Sequence, residues 1–90
     1  MREIVVSNQF KKDLKLAKKR GLDFALLERV VGILVEGKKL PAQYHDHGLS
    51  GDYVGFRECH VEPDWLLIYR VDDKLLELFL FRTGTHSDLF

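Results

Sequence analysis

The order of hydrophobic patterns along the 90-residue chain constrains its fold more than any other feature. A β-branched stretch at 3–6 comes first, and two helical patterns follow it. Three strand-like stretches then fill the second half, at Tyr53–Val61, Trp65–Val71 and Lys74–Arg82. Consecutive helices pack together on one face of a sheet in such arrangements. The sequence therefore predicts one α+β domain over residues 1–90, with two N-terminal helices on one face of a mostly antiparallel four-stranded sheet.

Both helices carry start and stop signals. In the first, Phe10, Leu14 and Ala17 recur at helical spacing after Ser7, whose hydroxyl can accept from the free amides of the first turn. Gly21 suits the left-handed residue that ends such a helix. The second helix has the same layout of a cap, a buried stripe and a final glycine: Asp23, then Leu27, Val30, Val31 and Leu34, then Gly37.

Turn signals separate the remaining elements. Pro63 interrupts the ladder between the first two long strands, because it has no N–H to donate. Asp72 and Asp73 predict a tight hairpin turn between the last two. Thr85 followed by Asp88 resembles a capping box, so a short turn or helix is expected at the C-terminus.

Composition sets the environment in which the chain is expected to act. The single cysteine, Cys59, cannot form an internal disulfide, so the fold must depend on packing, as is usual in a reducing compartment. No leader pattern opens the chain, and its apolar runs fall short of the ~20 residues that cross a bilayer. These features predict a soluble cytoplasmic protein.

Charge is unevenly distributed although the net charge is zero. Residues 1–45 carry 10 Lys/Arg and 5 Asp/Glu, whereas residues 46–90 carry 4 and 9. Six basic residues cluster on the first helix: Lys11, Lys12, Lys15, Lys18, Lys19 and Arg20. Of these, Lys11, Lys15 and Lys18 are candidates for contact with RNA phosphates, although a solvated helix face explains them equally well.

Four histidines provide the most suggestive chemistry. His45 and His47 lie in the polar, Pro- and Gly-punctuated stretch 38–52, which predicts a loop, while His60 and His86 come later. Histidine titrates nearest neutrality, so it suits the transfer of protons during RNA cleavage. That reaction needs a base for the ribose 2′-OH, an acid for the departing 5′-oxygen and donors for the charged phosphate.

The predicted elements bring a sufficient set to the rim of the sheet. His60 ends one strand and Asp64 begins the turn into the next. Arg82 ends the final strand, and His86 follows shortly after it. Two aromatic side chains beside these groups are suited to stacking on an unstacked base: Trp65 and Phe90.

Purely structural roles compete with these. Trp65 opens an apolar strand, so a position in the core is about as well supported as base stacking. Arg82 can pair with Glu58 or Glu77 across the sheet as readily as with a phosphate. Arg57 and Glu58, amid apolar residues, are also interpreted as a cross-strand ion pair.

Two other chemistries are less well supported. His45 and His47 with His60 or His86 could supply nitrogen ligands for zinc, but no cysteine pair or helical His-x-x-x-His accompanies them. Cys59 precedes His60, and neighbours on a strand point to opposite faces, which argues against a Cys/His dyad. No metal and no other cofactor is therefore predicted.

Three stretches of sequence carry a specific family resemblance: 46–51 (DHGLSG), 55–69 (GFRECHVEPDWLLIY) and 82–90 (RTGTHSDLF). They resemble the YafQ family of bacterial toxins, within the RelE superfamily. The resemblance implies a curved antiparallel sheet with a concave RNA-facing side. It also implies a ribosome-dependent endoribonuclease that cleaves messenger RNA in the A site. A DinJ-like antitoxin would neutralise the toxin, and the two together would occupy operator DNA.

The resemblance also assigns expected roles. The family's functional positions fall on His47, His60, Asp64, Trp65, Arg82, His86 and Phe90. His86 is the expected general acid or base, and His60 and Asp64 share proton transfer with it. Arg82 is expected to hold the scissile phosphate, and Phe90 to position the base. The expected products are a 2′,3′-cyclic phosphate and a 5′-hydroxyl.

Two other functions remain open at the level of sequence. A RelE-like module that binds an antitoxin and operator DNA without cleaving RNA would explain the neutral net charge. A metal-dependent hydrolase would explain the histidines. The first would leave no new 5′ ends on messenger RNA, and the second would lose activity on removal of the metal.

Overall fold

The computed structural model describes the whole chain, Met1–Phe90. It contains three helices, five strands and two 3₁₀ turns. In chain order these are β1 (Glu3–Val6), α1 (Asn8–Lys19), α2 (Phe24–Val35), the 3₁₀ turn Ala42–Tyr44, β2 (His47–Gly48), the 3₁₀ turn Gly51–Tyr53, β3 (Arg57–Glu62), β4 (Trp65–Asp72), β5 (Glu77–Gly84) and α3 (His86–Leu89). None of the helices combines the length and apolar character that crossing a membrane would require.

The strands form one mixed sheet in the order β1-β5-β4-β3-β2. β1 runs parallel to β5, and the other neighbours are antiparallel. The predicted α+β fold with two helices on one face is confirmed, but the sheet has five strands rather than four. The additional strand is β2, in which His47 pairs with Glu58. Two residues are too few to produce an alternating pattern, so the sequence indicated only a loop.

The strand predicted at 53–61 begins later than expected. Gly51–Tyr53 forms a 3₁₀ turn, and Gly55 has a φ of +90°, a left-handed value that residues with a side chain rarely adopt. These turns delay the strand until Arg57, and it continues to Glu62. The aromatic residues Tyr53 and Phe56 therefore lie in the turn region before the strand and make no ladder pairs.

The turn between β4 and β5 is longer than the predicted tight turn at 72–73. Asp72 Oδ1 accepts hydrogen bonds from the backbone N–H groups of Lys74 (3.0 Å) and Leu75 (3.1 Å), which organises a wider turn. Leu76 then has a φ of +53°. As a result β5 starts three residues later than predicted and ends two residues later.

The helix boundaries follow the predicted caps. The Ser7 hydroxyl accepts from the N–H of Phe10 at 2.9 Å, and the Asp23 carboxylate accepts from that of Ala25 at 2.9 Å. At the C-terminus, Thr85 and Asp88 form the reciprocal bonds of a capping box. The short C-terminal helix is thus confirmed as well.

The two faces of the sheet bury different residues. Side chains alternate along β4, so Leu67 and Tyr69 pack under α1 and α2, while Leu66 and Ile68 point to the opposite side. That second side, called the site face below, also receives Leu89 of α3. The main core lies on the helix side and holds thirteen buried residues.

Candidate active site

The structure brings His60 and His86 together on the site face. Their ring centroids are 5.7 Å apart. The sheet register explains this, because His60 is opposite Leu66, and Leu66 is opposite Gly84 at the end of β5. α3 starts two residues beyond Gly84 and therefore places His86 above the end of β3. The predicted meeting of these two imidazoles at the rim of the sheet is observed, while their catalytic role remains a prediction.

Asp64 fixes the orientation of His86. Its Oδ1 lies 2.7 Å from His86 Nδ1 and also accepts the backbone N–H of His86 at 3.0 Å. These hydrogen bonds, the backbone one first, lower the pKa of the Asp64 carboxyl below its ordinary value. An ionised carboxylate accepts a proton-bearing donor, so Nδ1 carries the hydrogen and Nε2 is left for chemistry. Asp64 lies in the turn between β3 and β4, as the sequence predicted.

Glu58 is a member of the site that sequence reasoning missed. Its side chain is buried, and one oxygen lies 3.6 Å from Nε2 of both His47 and His60. The predicted ion pair with Arg57 is wrong, because adjacent strand residues point to opposite faces and Arg57 pairs with Asp46 at 3.2 Å. The same period of two places Glu58 beside His60, and that spacing is the signal that could have identified it.

His45 and His47 flank this group from the β2 side. His47 is opposite Glu58, and its Nδ1 lies 2.7 Å from the carbonyl oxygen of His45. The His45 ring is 5.5 Å from that of His60, although His45 is not among the functional positions that the family resemblance implies. A cavity of about 480 Å³ adjoins these two rings and extends to Pro63.

Two imidazoles and two carboxylates thus lie within one small region. These four residues are called the rim cluster below: Glu58, His60, Asp64 and His86. The comparison with known proteins gives this geometry a context. The family model for YafQ, a bacterial toxin of type II toxin–antitoxin systems, matches residues 2–90. This chain belongs to the YafQ family.

Three known proteins show how similar the chain is to others. It is 49% identical to the mRNA interferase toxin YafQ of Escherichia coli K12, over 99% of this chain and 96% of that protein. The YafQ chain in an E. coli DinJ–YafQ complex is 47% identical, with a TM-score of 0.91 and coverage of 100% and 99%. A metal-bound toxin from Helicobacter pylori is 47% identical, with a TM-score of 0.93 and full coverage of both chains.

In this YafQ-family chain, three residues of the rim cluster could hold a metal ion. Glu58, His60 and His86 each offer one ligand atom, and these atoms lie within 4.8 Å of one another. Two imidazole nitrogens and one carboxylate oxygen form a donor set that suits transition metals. Binding would engage the same nitrogens that acid–base catalysis requires.

Arg82 lies near the site but is already paired. Its Nε and Nη2 donate to the Asp13 carboxylate at 2.9 and 3.2 Å, so the predicted partners Glu58 and Glu77 are wrong. Asp13 also accepts the backbone N–H of Thr83 at 3.1 Å. β1 pairs with β5 only as far as Leu80, so β1 offers no partner to this N–H. A phosphate contact would therefore depend on the remaining N–H groups of Nη1 and Nη2, in a guanidinium whose charge Asp13 already compensates.

The two predicted stacking residues differ. Trp65 is only 2% exposed, and its Nε1 donates to the Thr83 hydroxyl at 2.9 Å. The expectation that Trp65 stacks on RNA is therefore wrong for this structure, since neither face of its ring is accessible. Phe90 is 61% exposed and contacts Tyr53 edge to face at 5.5 Å. Phe90 remains available to a base.

The lysines proposed for RNA binding lie away from the rim cluster. Lys11, Lys15 and Lys18 are exposed on α1, which packs on the other side of the sheet. Only the end of α1 reaches α3, where Arg20 pairs with Asp88 at 2.6 Å. A role of these lysines in binding RNA stays a prediction.

Cys59 is fully buried, and its thiol pKa is raised to about 12, mainly by that burial, which excludes it as a nucleophile.

Proposed function

We propose that this YafQ-family toxin is an endoribonuclease that cleaves messenger RNA in the ribosomal A site by metal-independent acid–base catalysis. The observation that carries the proposal is the approach of His60 and His86 to 5.7 Å, with Asp64 bound to the Nδ1 side of His86. Support also comes from the mRNA interferase name of the 49% identical E. coli relative.

The reaction needs two proton carriers on either side of one phosphate. One imidazole takes the proton of the ribose 2′-OH while the 2′-oxygen attacks phosphorus. The other gives a proton to the 5′-oxygen as the P–O5′ bond breaks. The products are a 2′,3′-cyclic phosphate and a 5′-hydroxyl, so no water is consumed. The two rings lie close enough together for one phosphate group to contact both of them.

The carboxylates have supporting roles in this proposal. Asp64 holds the tautomer of His86 in which Nε2 can exchange a proton. Glu58 Oε1 lies 3.6 Å from His60 Nε2 and helps to hold that ring in position. His47, on the other side of Glu58, shares that carboxylate and assists at the rim.

A transition metal would inhibit rather than assist this mechanism. An ion on Glu58, His60 and His86 would occupy both imidazoles and prevent proton transfer. A chelator of transition metals that spares the magnesium of the ribosome should therefore leave cleavage unchanged. Loss of activity with the chelator, restored by metal, would instead support a metal-dependent hydrolase.

The partners follow from the family. The relative in the DinJ–YafQ complex indicates a DinJ-like antitoxin for this chain. Such an antitoxin would carry the toxin to operator DNA, and the free toxin would act on ribosomes in the cytoplasm. The ribosome and its messenger RNA are thus the proposed targets.

Primer extension on messenger RNA tests the catalytic proposal. Wild-type protein should create new 5′ ends, and His86→Ala should reduce them by a factor on the order of 10² to 10⁴, as expected for loss of a general acid or base. His45→Ala is a matched control, because its ring is equally close to His60 but has no assigned proton transfer. If the wild type leaves no new ends, the chain is a binding module without nuclease activity.

A further inference from the structure

Most guanidinium groups in the protein are neutralised by a carboxylate. The chain has six arginines, and four of them form ion pairs: Arg2 with Asp73, Arg20 with Asp88, Arg57 with Asp46 and Arg82 with Asp13. Arg29 and Arg70 have no such partner. Arg29 lies on α2, on the helix side of the sheet. Arg70 lies on β4.

Two aromatic rings hold the Arg70 guanidinium in place. Its Cζ is 5.1 Å from the ring centroid of Phe56 and 5.1 Å from that of Phe79. Arg70 is directly opposite Phe79 in the β4–β5 ladder. A cation over ring faces is attracted by their negative charge density, which orders the side chain without using its N–H donors. The exposed N–H groups of Arg70 are therefore available to a ligand.

Arg70 lies on the same face as the rim cluster. It follows Leu66 and Ile68 with the period of two that defines the site face. Leu66 is the cross-strand partner of His60. Arg70 is four positions along the strand from Leu66, a distance of about 13 Å. Arg70 therefore cannot touch the phosphate between His60 and His86, but it can reach a neighbouring part of the same strand.

A continuous aromatic surface connects the two places. From α3 towards Arg70, Phe90 contacts Tyr53 at 5.5 Å and Tyr53 contacts Phe81 at 6.2 Å. Phe81 stacks on Phe56 at 4.6 Å, and Phe56 lies under Arg70. Aromatic surfaces interleaved with a cation are typical of proteins that bind single-stranded nucleic acids. An acidic peptide would be attracted to the guanidinium alone and would not need the rings.

We propose that Arg70 binds a backbone phosphate of the substrate RNA strand, on the nucleotides that flank the scissile linkage. The inference rests on the proposed function for the identity of the ligand as RNA. Arg70 would supply the free cation that Arg82 does not, because the Arg82 guanidinium is paired with Asp13. Among the four basic residues of 46–90, Arg57 and Arg82 are paired, which leaves Arg70 as the only uncompensated guanidinium of that half.

Binding measurements with three variants test the proposal. Arg70→Ala, Arg70→Lys and Arg29→Ala are each combined with His86→Gln, so that the RNA stays intact. The anisotropy of a labelled single-stranded 20-nucleotide RNA is then followed over a range of salt concentrations. Arg70→Ala should weaken binding about two- to fivefold, as for loss of one exposed ion pair. It should also reduce the slope of log K against log salt by about 0.7, the value for one phosphate contact on a single strand.

The controls make the outcome specific. Arg70→Lys should restore the salt slope, since it restores the charge, and Arg29→Ala should leave both affinity and slope unchanged. Equal behaviour of Arg70→Ala and Arg29→Ala would overturn the inference. A loss of ribosome binding by Arg70→Ala with unchanged affinity for the oligonucleotide would also overturn it, because the ligand would then be the ribosome. Urea unfolding of each variant identifies any that fail to fold, and for these Arg70→Gln replaces Arg70→Ala.

Failure of this inference is distinguishable from failure of the proposed function. With His86 intact, Arg70→Ala should raise KM for cleavage and leave kcat unchanged, because Arg70 is distant from the reacting atoms. If the wild type does not cleave RNA at all, the binding assay still reports on Arg70. If cleavage occurs but the salt slope does not change, only the role of Arg70 is wrong.

Discussion

At the scale of single residues, burial separates the side chains that can meet RNA from those that cannot. Trp65 and Phe90 both resemble stacking residues in the sequence, yet Trp65 is enclosed and Phe90 is exposed. The sequence left the two roles of Trp65 open because an aromatic at the start of an apolar strand fits both. Glu58 shows the converse, since its burial beside two histidines places in the candidate site a residue for which the sequence predicted an ion pair.

The Trp65→Phe variant tests the structural role of Trp65. The change replaces the indole with a smaller phenyl ring and removes the Nε1–H that donates to the Thr83 hydroxyl at 2.9 Å. A buried acceptor without its partner should lower the free energy of unfolding by about 1 to 3 kcal/mol. Urea denaturation measures this loss, and RNA affinity should stay at the wild-type value. Weaker RNA binding with unchanged stability would restore Trp65 to the RNA interface.

At the scale of elements, α3 decides whether the site is assembled. A helix of four residues has no stability of its own, so its position depends on its contacts. Asp88 provides two of them, the capping bond to the N–H of Thr85 at 2.9 Å and the ion pair with Arg20 at 2.6 Å. A Cβ at Gly84 would lie 2.8 Å from an Asp88 oxygen, so glycine is required there for this arrangement. Leu89 attaches the helix to the sheet.

The Asp88→Asn variant tests this anchoring. Loss of the charge weakens the contact with Arg20 and lets His86 move relative to His60. Cleavage should fall about ten- to a hundredfold, the range expected for a misplacement of about 1 Å, while global unfolding in urea changes little. Asp73→Asn is the matched control, because Asp73 pairs with Arg2 far from α3. Equal loss of activity in both variants would contradict a specific role for Asp88.

The same anchor has a predictable pH dependence. The Arg20 guanidinium and the N–H of Thr85 hold the pKa of the Asp88 carboxyl well below its ordinary value. A carboxyl with a depressed folded pKa stabilises the fold above its unfolded pKa and loses that contribution as the pH falls through the folded one. α3 should therefore stay attached at mildly acidic pH, which hydrogen exchange of the Phe90 amide measures. Rapid hydrogen exchange of that amide already near pH 5 would contradict this account.

At the scale of the whole molecule, the sequence predicted the helices and strands better than the tertiary contacts between them. The caps Ser7, Asp23 and Thr85 were identified because capping is local chemistry. The strand β2 and the wide turn after Asp72 were missed, since two paired residues and a side-chain-bonded turn leave no periodic signal. The pairing of Arg82 with Asp13 spans 69 positions and depends on how α1 packs at the edge of β5, which no local pattern encodes.

The rim cluster is the product of this long-range organisation. Glu58, His60 and Asp64 come from neighbouring parts of the chain, but His86 reaches them only because two antiparallel ladders place Gly84 beside Leu66 and Leu66 beside His60. The net charge of zero is compatible with RNA binding in this arrangement, because ion pairing leaves the Arg70 guanidinium free on the face that carries the cluster. In our proposal, the catalytic groups and the phosphate-binding cation thus lie at separate places on one face of the sheet.

The chemistry of the cleaved ends tests the central claim most directly. Purified protein would be given ribosomes carrying either an all-ribose messenger RNA or the same RNA with a single 2′-deoxynucleotide before the cleavage position. If the rim cluster acts by proton transfer to and from the ribose–phosphate linkage, the all-ribose RNA yields 2′,3′-cyclic phosphate and 5′-hydroxyl ends, and the 2′-deoxy RNA stays intact. Cleavage of the 2′-deoxy RNA at the same position, leaving a 5′-phosphate, would contradict the account.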